Sequence, residues 1–185
     1  MNATLTAGEL VHRERFASTF FSECFIDELA RAAWRDPVQY RREMLPPTSR
    51  LRRVLDAAAR LAGWSRPLLE GRARGIALST AHGAVAAHVA ELSLDEQGDS
   101  TVHRIVAVID CGRGDGASAA RQQLEDSLRA RWAVLRPAPE VEVYLLPSDA
   151  APATAVGGAP AGLAPAMANA VAQLRARGAA DVEAT

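Results

Sequence analysis

The run Ile105-Val106-Ala107-Val108-Ile109 has no polar residue on either face. Successive side chains of a strand point to opposite sides of a sheet, so a half-exposed strand alternates apolar and polar residues. This run does not alternate, and it belongs in the middle of a sheet covered on both sides. The demand is strict: it requires flanking strands and apolar helices for two faces. The surrounding sequence offers both. Ile76 to Thr80 reads as a strand, Gly83 as a turn or a point of close approach, and Val85 to Leu94 as a second strand. Asp95-Glu96-Gln97-Gly98-Asp99 forms a hairpin loop, and Thr101 to Asp110 returns as the third strand that contains the run. Further on, Val141, Val143 and Leu145 alternate with Glu142 and Tyr144, which gives a short fourth strand.

Helices precede and follow. Phe25, Ile26, Leu29, Ala30, Ala33 and Trp34 recur at three- and four-residue spacing as one apolar stripe. Asp36-Pro37-Val38-Gln39 restarts the chain, with Asp36 as N-cap, Pro37 in the first turn and Gln39 at capping-box spacing; Pro46-Pro47 stops it. Thr48 or Ser49 caps a third helix with Leu51, Val54, Leu55, Ala58, Leu61 and Ala62 on its inner face, ended by Gly63. A helix from about Ala117 places Ala120, Leu124, Leu128 and Trp132 on one stripe, and Pro165 opens a last helix with Leu163, Met167, Val171 and Leu174 turned inward. The pattern predicts an α+β fold: short helices, then a small mixed, mainly antiparallel sheet packed by helices. Residues 1–15 read as a flexible lead-in, 16–177 as one domain and 178–185 as a flexible tail.

Alanine supplies much of the 49% hydrophobic content, while aromatics make up only 5%. Alanine buries little area, so the core is thin per residue and stability is expected to be marginal or supported by a partner. A net charge of −1 creates no field that draws in nucleic acid. All 21 basic residues are arginine, which reads as a compositional bias more than as a phosphate-binding surface. Cys24 and Cys111 are too few for a disulfide framework or a metal site, which favours a reducing compartment. No signal peptide and no membrane-spanning run stand out, so a cytoplasmic location is expected.

Few side chains are grouped for chemistry. Cys111-Gly112-Arg113-Gly114-Asp115-Gly116 joins a buried strand to a helix, where main-chain N–H groups can cradle an anion. The glycine spacing fits neither the P-loop nor the dinucleotide pattern, and Asp115 repels anions, so a plain turn is the stronger reading. His12, His82, His88 and His103 lack metal-site spacing and read as structural or surface residues. Glu23, Asp27 and Glu28 beside Arg31 read as a solvated helix face rather than as paired catalytic carboxylates. Cys24 reads as a buried, inert thiol; a structural role is also favoured for Cys111.

Four blocks share an order and wording with one known family. They are Phe20-Phe21-Ser22-Glu23-Cys24-Phe25-Ile26-Asp27-Glu28-Leu29-Ala30, Gly71 to Leu78, Asp110-Cys111-Gly112-Arg113, and Ala164-Pro165-Ala166-Met167-Ala168-Asn169-Ala170-Val171. From Phe20 to Val171 the chain resembles the C-terminal part of the large subunit of molybdenum hydroxylases, the xanthine dehydrogenase and aldehyde oxidase family, in its isoquinoline oxidoreductase beta-subunit branch. The resemblance implies a partial molybdopterin-binding domain and, as cofactor, molybdopterin cytosine dinucleotide or none. It implies cofactor-side positions at Gly112, Arg113, Gln123, Ala166 and Asn169. Family members hydroxylate aldehydes or electron-poor heteroaromatic carbons with oxygen from water, using a glutamate as general base in a Val-Gly-Glu-Pro-Gly loop. Here that loop is Val156-Gly157-Gly158-Ala159-Pro160, with glycine in the acid's place. Asp126-Ser127 stands where the family has a glycine pair, and Gly116-Ala117 where it has asparagine-proline. The segment before Val141 is much shortened. The chain therefore reads as a silent relative with no catalytic or metal-binding residue of its own, partnered by a larger molybdenum-hydroxylase subunit or by itself, and not by nucleic acid or membrane. The alternatives are one piece of a split enzyme and a small anion-binding module.

Overall fold

The computed structural model describes residues 7–81, 83–112, 126–127, 129–130, 132, 135–150 and 159–183. Three helices come first: α1 (Ala7–Ala32), α2 (Pro37–Met44) and α3 (Arg50–Leu61). Strands β1 (Arg72–Ala81), β2 (Ala84–Leu94), β3 (Ser100–Asp110) and β4 (Glu140–Leu145) follow, then a 3-10 turn (Ala159–Gly162) and α4 (Leu163–Glu183). The sheet order is β1-β2-β3-β4, with the first two pairings antiparallel and β3–β4 parallel. The fold is α+β, as the periodicities require. Helical backbone reaches into both stretches set apart as lead-in and tail, since α1 starts at Ala7 and α4 ends at Glu183.

The apolar run is central and covered twice. Ile105, Ala107 and Ile109 join a cluster with Ala73, Ala77, Ala86 and Ala90, under Ala166 and Ala170 of α4 and under Trp132. Val106 and Val108 join Ile76, Leu78, Ala87 and Val89 on the opposite face, under Val54, Leu55 and Ala58 of α3. Each fully buried Val or Ile contributes roughly 1.5–3 kcal/mol, so the five-residue run anchors both halves of the core.

α4 lies unusually close to β1. A Cβ on Gly75 would sit 2.0 Å from the Ala166 carbonyl oxygen and 2.4 Å from the Ala170 nitrogen. The helix face in full contact is accordingly small, with Ala166, Asn169 and Ala170 buried. Of the residues expected on the inner face, Leu163 is buried in the same cluster, and Met167, Val171 and Leu174 are partly buried against it.

Local signals set the helix ends. Asp36 Oδ1 accepts from the Val38 and Gln39 N–H groups at 3.0 and 2.9 Å, and Ser49 Oγ accepts from the Arg52 N–H at 3.1 Å. α1 and α3 end in the same motif: Arg35 N–H bonds the Ala30 carbonyl as Trp64 N–H bonds that of Ala59, and Trp34 N–H bonds that of Arg31 as Gly63 N–H bonds that of Arg60. The left-handed residue is Gly63 (φ 63°) in one case and Trp34 (φ 55°) in the other. This corrects the stripe drawn along α1. Trp34 lies past the helix end and is 96% exposed, and Phe25 is 57% exposed. α1 packs at the β1 edge rather than flat on the sheet, so its buried line runs through Glu23, Asp27 and Ala30. No described helix is long and apolar enough to cross a membrane.

Candidate functional site

The main polar cluster lies where α1, α2 and β1 meet. Glu23 and Asp27 are one helical turn apart on α1, and both are buried. Arg41 of α2 is buried between them: its Nε donates to Glu23 Oε2 at 3.1 Å, one Nη to Asp27 Oδ1 at 3.2 Å, and the other Nη to the Glu23 carbonyl at 3.0 Å. Arg31 reaches Asp27 Oδ2 at 2.8 Å, the i,i+4 pair read from the sequence. The rest of that reading is corrected, because Glu23 and Asp27 form an internal charge cluster and not a solvated face. Arg41 is 18 residues from Glu23 and 14 from Asp27, so helix spacing alone could not reveal it. Burial pushes both carboxyls above their usual range, against the pull of Arg41.

The cluster also closes a sheet edge. β1 is an outer strand, and its Leu78 N–H donates to Glu23 Oε2 at 2.9 Å. Its Ile76 carbonyl accepts from the Asn169 amide at 3.0 Å, and its Arg72 carbonyl from Arg177 at 3.2 Å. Residues 72, 76 and 78 share one parity, so three outward-facing residues of β1 are covered by side chains from α1 and α4. A cavity of about 340 Å³ opens beside the cluster, with Ser22, Glu23, Ile26, Met44, Leu51 and Thr80 in its wall.

A second ion pair holds the end of β3. Asp110 is buried; Arg50, at the first turn of α3, donates from Nε to Asp110 Oδ2 at 2.9 Å and from Nη2 to Oδ1 at 2.8 Å. The same guanidinium bonds the Asp110 and Gly83 carbonyls, both at 2.8 Å. Burial alone would raise the Asp110 carboxyl, but the bonds from Arg50, Gly112 and Ser148 hold it below its usual range. Nothing in the local sequence marks Arg50, which lies 60 residues from its partner.

The positions implied by the family resemblance separate. Gly112 (φ 78°) follows β3, and its N–H donates to Asp110 Oδ1 at 2.9 Å. Ala166 and Asn169 are buried under β1, with the Asn169 amide directed at the carbonyls of Ile76 and, at 3.4 Å, Glu23. Arg113 and Gln123 lie outside the described residues, as do Gly114 to Gly116 and the Val156–Gly158 part of the loop. The described members of the set do not fit a molybdopterin dinucleotide. A carboxylate occupies the one turn N–H, packing encloses Ala166, and the Asn169 amide serves main-chain carbonyls. Among the described residues, no three His, Cys, Asp or Glu side chains come together as metal ligands would.

His88 is the buried group that the sequence did not single out. It is fully buried on β2, and neither ring nitrogen has a hydrogen-bond partner among the described residues. Its ring meets that of Trp132 edge-on at 5.7 Å, and a Cβ on Gly162 would lie 2.4 Å from its Nδ1. Burial lowers its pKa from 6.5 to about 4. Cys24 is half-buried and not buried as expected, and burial, Asp27, Glu28 and Glu23 raise its thiol pKa. No protein-family model matches the chain, and no curated protein matches it.

Proposed function

We propose that this chain is a truncated relative of the molybdopterin-binding subunit of a molybdenum hydroxylase, catalytically silent on its own and serving as a binding or structural subunit. One observation supports the reading most. Asn169, in the block that carries the resemblance at the C-terminal end, gives its amide to the Ile76 and Glu23 carbonyls and so works as an edge cover for β1. The Gly112 N–H is likewise engaged by Asp110. Glycine in place of the family's glutamate agrees with this, since a side chain reduced to hydrogen takes no proton, and loss of a general base typically costs about 100- to 10,000-fold in rate. The test is to purify the chain from its native host and measure its molybdenum, its pterin and its turnover of aldehydes and N-heterocycles. Absence of all three is expected, and turnover by the purified chain rejects the proposal.

The outer face of α1 favours a second reading, one piece of a split enzyme. Phe21 and Phe25, one helical turn apart, are 70% and 57% exposed, which suits burial against a larger subunit. That reading expects co-purification with such a subunit, and a stable monomer that captures none removes it.

A further inference from the structure

The two edges of the sheet are treated differently. β1 is closed by Glu23, Asn169 and Arg177. At β4, the Leu146 N–H donates to the Ile109 carbonyl at 2.8 Å, which sets the parity of the strand. Residues 140, 142, 144 and 146 face β3, and the main-chain N–H and C=O groups of Val141, Val143 and Leu145 face outward. Among the described residues nothing bonds to those outward groups, and β4 carries no lysine or bulge to discourage pairing.

We infer that β4 is the interface of a two-fold dimer, in which two copies of this chain join their sheets edge to edge with Val143 opposite Val143. The inference rests on the reading of the chain as a binding or structural subunit and specifies self-association through this surface. Three features choose the occupant and the register. Antiparallel pairing centred on Val143 sets Val141 against Leu145 in both directions, so every outward N–H and C=O of the strand is satisfied. Pro139 then faces Pro147 of the other copy. Both prolines have outward parity and no N–H, and they fall together just beyond the ladder at each end. Charge agrees as well: Glu142 lies opposite Tyr144 and Glu140 opposite Leu146, so no carboxylate faces another. Sliding by one pair in one direction opposes Glu142 to itself and Pro139 to Leu145; sliding in the other sets Pro147 against Val141 and breaks the ladder.

The experiment is light-scattering mass across a concentration series, for the wild type and for Val141→Pro. Proline at 141 removes an outward N–H that has no partner among the described residues, and the N–H groups that face β3 are untouched, so the β3–β4 ladder survives. The wild type should show twice the 19.6 kDa chain mass. Val141→Pro should shift to single mass with an unchanged far-ultraviolet dichroism spectrum. A second measurement fixes the register. With Cys24 and Cys111 replaced by serine and a spin label at Glu140→Cys, the two labelled backbones lie six residues apart along the pairing, roughly 20 Å. A monomeric wild type, a Val141→Pro dimer or a clearly different label distance overturns the inference. A monomer free of molybdenum overturns the dimer alone, whereas a dimer with molybdenum and turnover keeps the interface and rejects the silent-subunit reading.

Discussion

At the scale of single residues, the two matched helix ends form an internal comparison. Gly63 and Trp34 hold the same left-handed position with the same pair of main-chain bonds. Glycine takes that conformation freely, whereas a residue with a Cβ is strained by roughly 1 kcal/mol. At 96% exposure the Trp34 ring has almost no packing to lose. Trp34→Gly should therefore stabilise the fold by about 0.5–1 kcal/mol, read as a higher denaturant midpoint with an unchanged slope. A lower midpoint would mean that the exposed indole makes contacts which outweigh the strain.

At the scale of elements, the regular parts of the fold were legible in the sequence. Alternation marked β4, glycine marked both hairpin turns, and cap residues marked the starts of α2 and α3, because each of those signals acts within a few residues. β1 was read as Ile76 to Thr80 and extends from Arg72 to Ala81, since Arg72 and Arg74 break the apolar pattern while pairing with Glu91 on β2. The candidate site was much less legible. Glu23 and Asp27 looked solvated because Arg41 arrives from another helix, and Asn169 is an edge cover only because α4 returns to β1. Those relations exist only after the chain has folded back on itself. Gly75 tests the return of α4 most directly. Its missing Cβ faces main-chain atoms of Ala166 and Ala170, which cannot rotate away as a side chain could. Gly75→Ala should cost about 3 kcal/mol, the upper part of the range for overpacking. Hydrogen exchange should show α4 losing protection first, because lifting α4 also strips the Asn169 amide from the β1 edge. Equal loss of protection across α3 would show that the strain spreads through the sheet instead.

At the scale of the whole molecule, a core in which about half of the buried hydrophobic residues are alanine leaves a small margin for internal charge. Domains of this kind are stable by about 5–15 kcal/mol, so a single buried titration is a large fraction of the total. His88 and the α1 carboxylates pull in opposite directions. The folded pKa of His88 is depressed to about 4 from 6.5, so between those values the unfolded chain binds a proton that the folded chain refuses. Stability falls as pH falls through that window, by about 3 kcal/mol once it is crossed. Glu23 and Asp27 are raised above their ordinary values, so the folded state takes up protons first and gains stability as pH falls through their folded pKa values. Asp110 is depressed, so its contribution persists at neutral pH and is lost only in stronger acid. The wild type should therefore lose stability from pH 7 to pH 5, with His88 as the main cause. His88→Leu removes a buried polar ring with no hydrogen-bond partner among the described residues and should raise stability at pH 7 by about 1 kcal/mol. It should also flatten the slope, because the proton that the unfolded chain binds and folded His88 refuses is no longer in play. Denaturant titrations of both proteins at pH 7, 6 and 5 provide the comparison. Parallel slopes would show that His88 finds a proton acceptor in the folded chain, and would move the source of acid sensitivity to His103, whose pKa is also lowered by burial and by Arg72.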